Sequence, residues 1–293
     1  MGWRSRLKND RKELVRLWEE NSFEEVFELS HLRLEANPMN YFFLTLKGFS
    51  AYQLAVAQIN NSDIQTYINA CIWSLRKALY CREGPEDMRV HYVLGKAYYY
   101  KGDAYADMAV KFLEAARDRN YPAADIPEYL GLAYASIHDY RNSVAAFSLA
   151  LAPGNPEANE LVSLNETSSL EEPRNRGPSD LLLLSIARSY IALEEADTAR
   201  AYLVRCVETS KDSNILVAAR LLLGGIHGKS GDVSGAEAQY LAILEDGGEN
   251  AEAHFQLGEL YAAGGDPTRA RAEWRRAVRI DPAHGPARMR LNM

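Results

Sequence analysis

Apolar residues in the last part of the chain recur three and four places apart, at Phe255, Leu257, Leu260 and Tyr261 and again at Ala270, Trp274, Ala277, Val278 and Ile280. This spacing predicts two amphipathic helices, each with one apolar stripe. Between the stripes stand Gly264-Gly265-Asp266-Pro267. They offer a residue that tolerates positive φ, a side chain that can cap the next helix, and a proline suited to that helix's first turn. A tight antiparallel hairpin is therefore expected over 251–284. Gly258 falls in mid-helix, where glycine costs about 1 kcal/mol against alanine, so its expected use is to let the second helix approach closely at Ala270 and Ala277.

The same pattern recurs towards the N-terminus with the period of that 34-residue unit. Gly224, Ala236, Tyr240 and Ile243 place a unit at 217–250, and Ala187, Tyr190, Ala199, Leu203 and Cys206 place one at 180–213. Gly131, Tyr134, Ser143, Phe147 and Ala150 fit 124–157; Gly95, Tyr98, Ala109, Leu113 and Ala116 fit 88–123, with two extra residues in the turn. Gly48, Cys71, Leu75 and Ala78 suggest a unit at 41–87 with about eleven extra residues between its helices, and Val26, Leu34 and Pro38 suggest a degenerate one at 7–40. In the last unit Leu257 and Gly258 occupy positions 7 and 8, Tyr261 position 11, Ala270 position 20, Trp274 position 24, Ala277 position 27 and Pro282 position 32. That combination resembles the tetratricopeptide repeat, with His254 at position 4 as the departure. The resemblance implies an all-α fold, a right-handed superhelical solenoid of about seven helix-turn-helix repeats, in one elongated domain over 1–293.

Two segments interrupt the period. Residues 158–179, ANELVSLNETSSLEEPRNRGPS, are rich in Ser, Asn, Glu and Pro and bury too little apolar surface to offset ordering, so a mobile loop is expected. The stretch 54–70 keeps enough apolar residues that lengthened helices and a free loop both remain open. At the end only GPARMRLNM follows the last unit, whereas a solenoid must cover the apolar face of its terminal repeat. Arginine stems and a short helix are one possible cover; self-association through the basic end is the other.

Composition narrows the function. The chain has 293 residues, 25% charged and 47% hydrophobic, with no apolar run long enough for a transmembrane segment. The net charge of −7 argues against nonspecific nucleic-acid binding, which depends on basic residues neutralising phosphates. Cys71, Cys81 and Cys206 are odd in number, and Cys71 and Cys206 fall at helix-packing positions, so free thiols and a cytoplasmic location are expected. A periplasmic or secreted location stays open should a leader have been removed.

No catalytic constellation is visible. Gly-Lys-Ser at 228–230 matches the end of a phosphate-binding loop, but Leu223 stands where that loop needs its first glycine and no strand precedes it. The repeat register instead gives Gly224 a packing role. His91, His227 and His254 occupy packing positions and have no metal-ligand spacing. No cofactor, metal or enzymatic activity is expected.

By resemblance, binding belongs to positions 2, 5, 9, 12 and 13 of each first helix. These are Lys8, Arg11, Val15, Trp18 and Glu19; then Phe42, Thr45, Phe49, Tyr52 and Gln53; then Arg89, Tyr92, Lys96, Tyr99 and Tyr100. Trp18, Phe42, Phe49, Tyr52, Arg89, Tyr92, Lys96, Tyr99 and Tyr100 are accordingly the candidate partner-binding residues. Such rings serve a peptide hot spot by burying large area with little entropy loss; equally, they could fill a narrow interior. Val15 and Phe49 stand where a carboxylate-gripping subtype carries asparagines, so that subtype is not expected. The reading is a non-enzymatic scaffold for a protein or peptide partner. A small apolar ligand in the groove, or a self-assembling module, is the alternative.

Overall fold

A computed structural model describes the backbone of residues 3–151 and 180–292. These form fifteen α-helices, and none of the described residues lies in a strand. The chain divides into two compact units, Met1–Asn175 and Arg176–Met293. The division falls inside the segment that breaks the sequence period; the expected mobility of 158–179 lies outside the described residues.

The first unit holds four hairpins: α1 (Trp3–Glu19) with α2 (Phe23–Ala36), α3 (Tyr41–Val56) with α4 (Asn61–Ala78), α5 (Met88–Lys101) with α6 (Ala106–Asp118), and α7 (Ile126–Ser136) with α8 (Tyr140–Leu151). The second holds three, α9 (Asp180–Ala192) with α10 (Ala196–Thr209), α11 (Ser213–Lys229) with α12 (Val233–Gly247), and α13 (Ala251–Ala263) with α14 (Pro267–Ile280), followed by α15 (Gly285–Leu291). The fold is the all-α helical-hairpin repeat that the periodicity predicts. No helix among the described residues is long and apolar enough to cross a membrane.

Most of the hairpins turn by one device. Asn21, His138, Glu194, Gly231 and Gly265 take positive φ of 57°, 61°, 64°, 81° and 79°. The next amide then donates to the carbonyl oxygen five residues back: Ser22 to Leu17, Asp139 to Tyr134, Glu195 to Tyr190, Asp232 to His227 and Asp266 to Tyr261, each at 2.9 Å. This is the Schellman closure of a helix C-terminus. The following helix starts at once, capped by Asp232 on the Gly235 amide and by Asp266 on the Arg269 amide. Two hairpins depart from it. In the second, α3 and α4 extend and Asn60 caps α4, so 54–70 becomes longer helix rather than loop. In the third, Gly102 and a 3-10 turn at Asp103–Tyr105 take up the two extra residues.

Inside each hairpin a small residue of the first helix meets a large one of the second. A methyl group at Gly48, Gly95, Gly131, Gly224 or Gly258 would lie under 3.0 Å from Leu75, Leu113, Phe147, Tyr240 or Trp274 respectively. Ala187 and Leu203 hold the same positions in the fifth hairpin, both fully buried. The first hairpin exchanges the sizes, with Leu14 and Ser30 fully buried. Cys71 and Cys206 are buried free thiols at packing positions.

α11 begins four residues before its expected unit, because Asp212 accepts from the Asn214 and Ile215 amides and turns the gap between units into helix. Residues 224–229 therefore lie inside α11, not in a phosphate-binding loop. At the C-terminus His284 Nδ1 caps α15 by accepting from the Ala287 amide. Ala287 packs fully buried against Trp274 and Ala277, and Arg290 pairs with Glu259 while its guanidinium stands 5.9 Å from the Trp274 ring.

The adjacent glycines of α11 give a direct check. Gly224→Ala is expected to destabilise by about 1–3 kcal/mol through overpacking against Tyr240. Gly225 has open space around it, so Gly225→Ala is expected to stabilise by about 0.5–1 kcal/mol through helix propensity. Urea unfolding of both variants reads the opposite signs.

Candidate functional site

The aromatic positions of the first unit converge on a cavity of about 580 Å³. Val15, Trp18 and Glu19 close it from the end of α1; Phe42, Thr45, Leu46 and Phe49 form one wall along α3; Arg89, Tyr92 and Val93 form the opposite wall on α5. Residues three and four apart share a helix face, which is why Phe42, Thr45, Leu46 and Phe49 point together. The lining is apolar, and the charged groups stand at its edge. Arg11 lies 4.8 Å over the Phe42 ring. Arg89 is fixed by Asp87, with Nη2 to Oδ2 at 2.6 Å and Nε to Oδ1 at 2.9 Å.

Six lining residues escaped the repeat-position argument: Tyr41, Leu46, Val93, Tyr121, Pro122 and Ala123. Tyr41 donates to Asp87 Oδ2 at 2.6 Å, tying the start of α3 to the start of α5. Tyr121 follows Asn120, whose φ of 56° closes α6, and its amide bonds Ala116 O. The Asn-Tyr-Pro triplet could have revealed it, since a left-handed asparagine followed by a hydrophobic residue and proline marks a helix end that packs.

The predicted residues divide into two groups. Trp18, Phe42, Phe49, Arg89 and Tyr92 line the cavity. Tyr52, Lys96, Tyr99 and Tyr100 do not line it; they build a polar-aromatic cluster further along α3 and α5. Lys96 Nζ donates to Asp125 Oδ2 at 2.7 Å and to Tyr92 Oη at 3.0 Å, and the Tyr92 hydroxyl donates to both Asp125 oxygens. The ammonium also stands 5.5 Å from the Tyr52 ring and 4.5 Å from the Tyr129 ring. Tyr100 and Tyr129 share a hydrogen bond of 3.1 Å, and Tyr99 packs edge-on to both. Burial raises the pKa of the Tyr92 hydroxyl and the Asp125 charge adds to it, so the phenol stays protonated as a donor. Tyr92 belongs to both groups: its ring is cavity wall and its hydroxyl anchors the cluster. No three His, Cys, Asp or Glu among the described residues form a metal-holding group.

Two consequences are measurable. Removing the ammonium leaves Asp125 with Tyr92 in a half-buried site, so Lys96→Ala is expected to destabilise by about 1–3 kcal/mol in denaturant unfolding. Burial works to raise the Asp87 pKa, but the bonds from Arg89 and Tyr41 outweigh it and leave the group below its ordinary value. A depressed carboxylate stabilises the fold above its unfolded pKa of about 4 and loses that contribution as pH falls through the folded value. Asp87→Asn keeps the cap acceptor, so it is expected to lower stability at pH 7 and to flatten the decline below about pH 4 in an unfolding series.

Residues 221–284 match the family model for the tetratricopeptide repeat. No curated protein sequence matches the chain. Among solved structures, the C-terminal part of a tetratricopeptide repeat-containing protein of Cytophaga hutchinsonii superposes with a TM-score of 0.59 at 17% identity, covering 96% of this chain and 99% of that one. PilW, described as a widely conserved type IV pilus biogenesis factor, gives 0.59 at 16% identity, over 83% and 97%. YrrB, described as a tetratricopeptide repeat protein with an unusual peptide-binding site, gives 0.53 at 21% identity, over 75% and 98%. Residues 221–284 thus match the tetratricopeptide repeat, and the chain shares its fold with solved tetratricopeptide repeat structures.

Proposed function

We propose that the protein is a non-enzymatic interaction scaffold that seats an extended segment of a partner protein in the aromatic cavity of its first unit. The observation that carries this reading is the convergence of Trp18, Phe42 and Phe49, all half-buried, on one apolar space whose wall residues Tyr92 and Arg89 are fixed by Asp125 and Asp87. Rings held in place bind with little loss of freedom, which is the property of an anchor pocket. The charges at the edge, Arg11, Arg89 and Glu19, suit the polar flanks of a peptide. The likeness to YrrB supports a peptide ligand by analogy of fold.

The cavity's volume also falls in the range of small-molecule sites, which favours a second reading, an apolar small ligand in the same place. Peptides selected from a random library against the immobilised protein, then titrated by calorimetry, decide between them. A peptide that binds the native chain and loses about tenfold or more affinity in a Trp18→Ala, Phe42→Ala, Phe49→Ala variant of unchanged helicity supports the first reading. Failure to select any peptide, with saturable binding of an apolar dye abolished by the same substitutions, supports the second.

A further inference from the structure

The second hairpin carries a lysine where its successors carry an aliphatic core residue. Position 7 of the later units is Leu94, Leu130, Ile186, Leu223 and Leu257, all buried. In the second unit it is Lys47, which is only 7% exposed. Among the described residues its ammonium forms no ion pair with a carboxylate. Nζ lies 2.7 Å from His31 Nδ1 on α2, 5.2 Å from the Phe27 ring and 5.5 Å from the Trp73 ring on α4. A second ammonium, that of Lys77, stands 3.9 Å over the same indole. Neither lysine forms an ion pair within the described residues. Burial lowers the Lys47 pKa, the charge of Glu28 opposes the shift, and Lys77 adds to it.

A desolvated ammonium next to another is unfavourable unless something of opposite charge compensates it. The chain supplies an imidazole and rings, which satisfy geometry without neutralising charge. With the ammonium as donor, His31 Nδ1 must accept, so the imidazole carries its proton on Nε2 and offers a further donor. Trp73 meanwhile leaves 51% of its surface exposed in mid-helix. Two uncompensated lysines beside an exposed indole thus form a positive patch on a chain of net charge −7. Helical periodicity puts Lys47 on the side of α3 opposite Phe42, Leu46 and Phe49, so the patch is separate from the cavity.

We propose that this patch, formed by Lys47, Lys77, His31 and Trp73, is a second docking site, which takes an acidic segment of a partner protein. Lys77 contacts the carboxylates directly, Lys47 supplies positive potential from beneath, and an apolar side chain of the segment lies on the exposed part of the indole. Charge complementarity selects the partner; a nucleic acid is disfavoured because so few cations are present and the chain's net charge is −7.

The probe is a fluorescein-labelled octa-glutamate peptide with one central phenylalanine, compared with its glutamine counterpart and with a single-stranded oligonucleotide of equal charge. Anisotropy titrations of the full chain at low ionic strength are expected to show saturable binding of the glutamate peptide alone. Lys77→Glu, on a half-buried side chain, and Trp73→Ala are each expected to weaken it about tenfold or more, whereas Phe42→Ala with Phe49→Ala leaves it unchanged. Lys47→Leu restores the aliphatic pattern, so it is expected to raise Tm by about 2–4 °C while weakening peptide binding several-fold, a pairing that a purely structural lysine would not give. Should Trp73→Ala unfold, Lys77→Glu and Lys47→Leu carry the test. The proposal is overturned if the native chain does not bind the glutamate peptide, if Lys77→Glu binds it equally well, or if the oligonucleotide binds more tightly and is lost with the same substitutions.

Discussion

Five of the seven described hairpins depend on one steric constraint: a large side chain of the second helix rests directly on the backbone of the first. Phe147 against Gly131, Tyr240 against Gly224 and Trp274 against Gly258 are three versions of it. The contact excludes water and sets how closely the two helices lie, and the Schellman closures at Asn21, His138, Glu194, Gly231 and Gly265 deliver the second helix at that spacing. Because the large and small partners can trade places, as Leu14 and Ser30 do, what matters is their combined volume. The helices are otherwise free to vary in length. That freedom lets α3 and α4 extend around 54–70 and α11 start early without disturbing the packing.

Two lysines of the first unit show how differently a buried charge can be handled. Lys96 has Asp125, the Tyr92 hydroxyl and three tyrosine rings around it, so its charge is neutralised and its hydrogen bonds are satisfied. That closed network is a fixture: it holds the Tyr92 ring where the cavity needs a wall. Lys47, one hairpin earlier, has rings and an imidazole but no ion-paired carboxylate among the described residues. A satisfied network rigidifies, while an unsatisfied one leaves a field at the surface.

The fold was legible because the steric constraint demands particular residue types at fixed spacing. Glycine at position 8 with a large residue at position 24 is hard to reproduce by chance, and Gly-Asp-Pro in the last turn names the left-handed residue, the cap and the helix start in order. Boundaries were less legible, since Asp212 and Asn60 each cap a helix that the period alone would begin later. The cavity was readable as far as one helix face determines it: Phe42 and Phe49 must point together. What periodicity could not supply was the neighbour's contribution. Tyr52 and Tyr100 occupy the same repeat positions as cavity residues, yet Tyr129 and Asp125, from the next hairpin, fold them into a cluster. Similarly, the His254 departure is explained by Glu273 on the facing helix, 2.6 Å away and itself bonded to Arg276.

In the proposed binding mode, the distribution of aromatic residues separates recognition from support within the first unit. A ring that touches only its own hairpin fills space, whereas a ring whose face meets neither helix is available to a ligand. Trp18 lies edge-on to Phe23, Phe42 lies under Arg11 and edge-on to Phe43, and each still presents surface to the cavity. Their orientations are set before any ligand arrives, by contacts on the far side of each ring. Under the proposed function, association would not have to immobilise them, and the area they bury would be converted to affinity with less loss to ordering. The polar network behind Tyr92 extends the same logic one layer deeper. Lys96 and Asp125 fix the ring without touching the cavity, so the site's rigidity is stored in residues that a ligand would not contact.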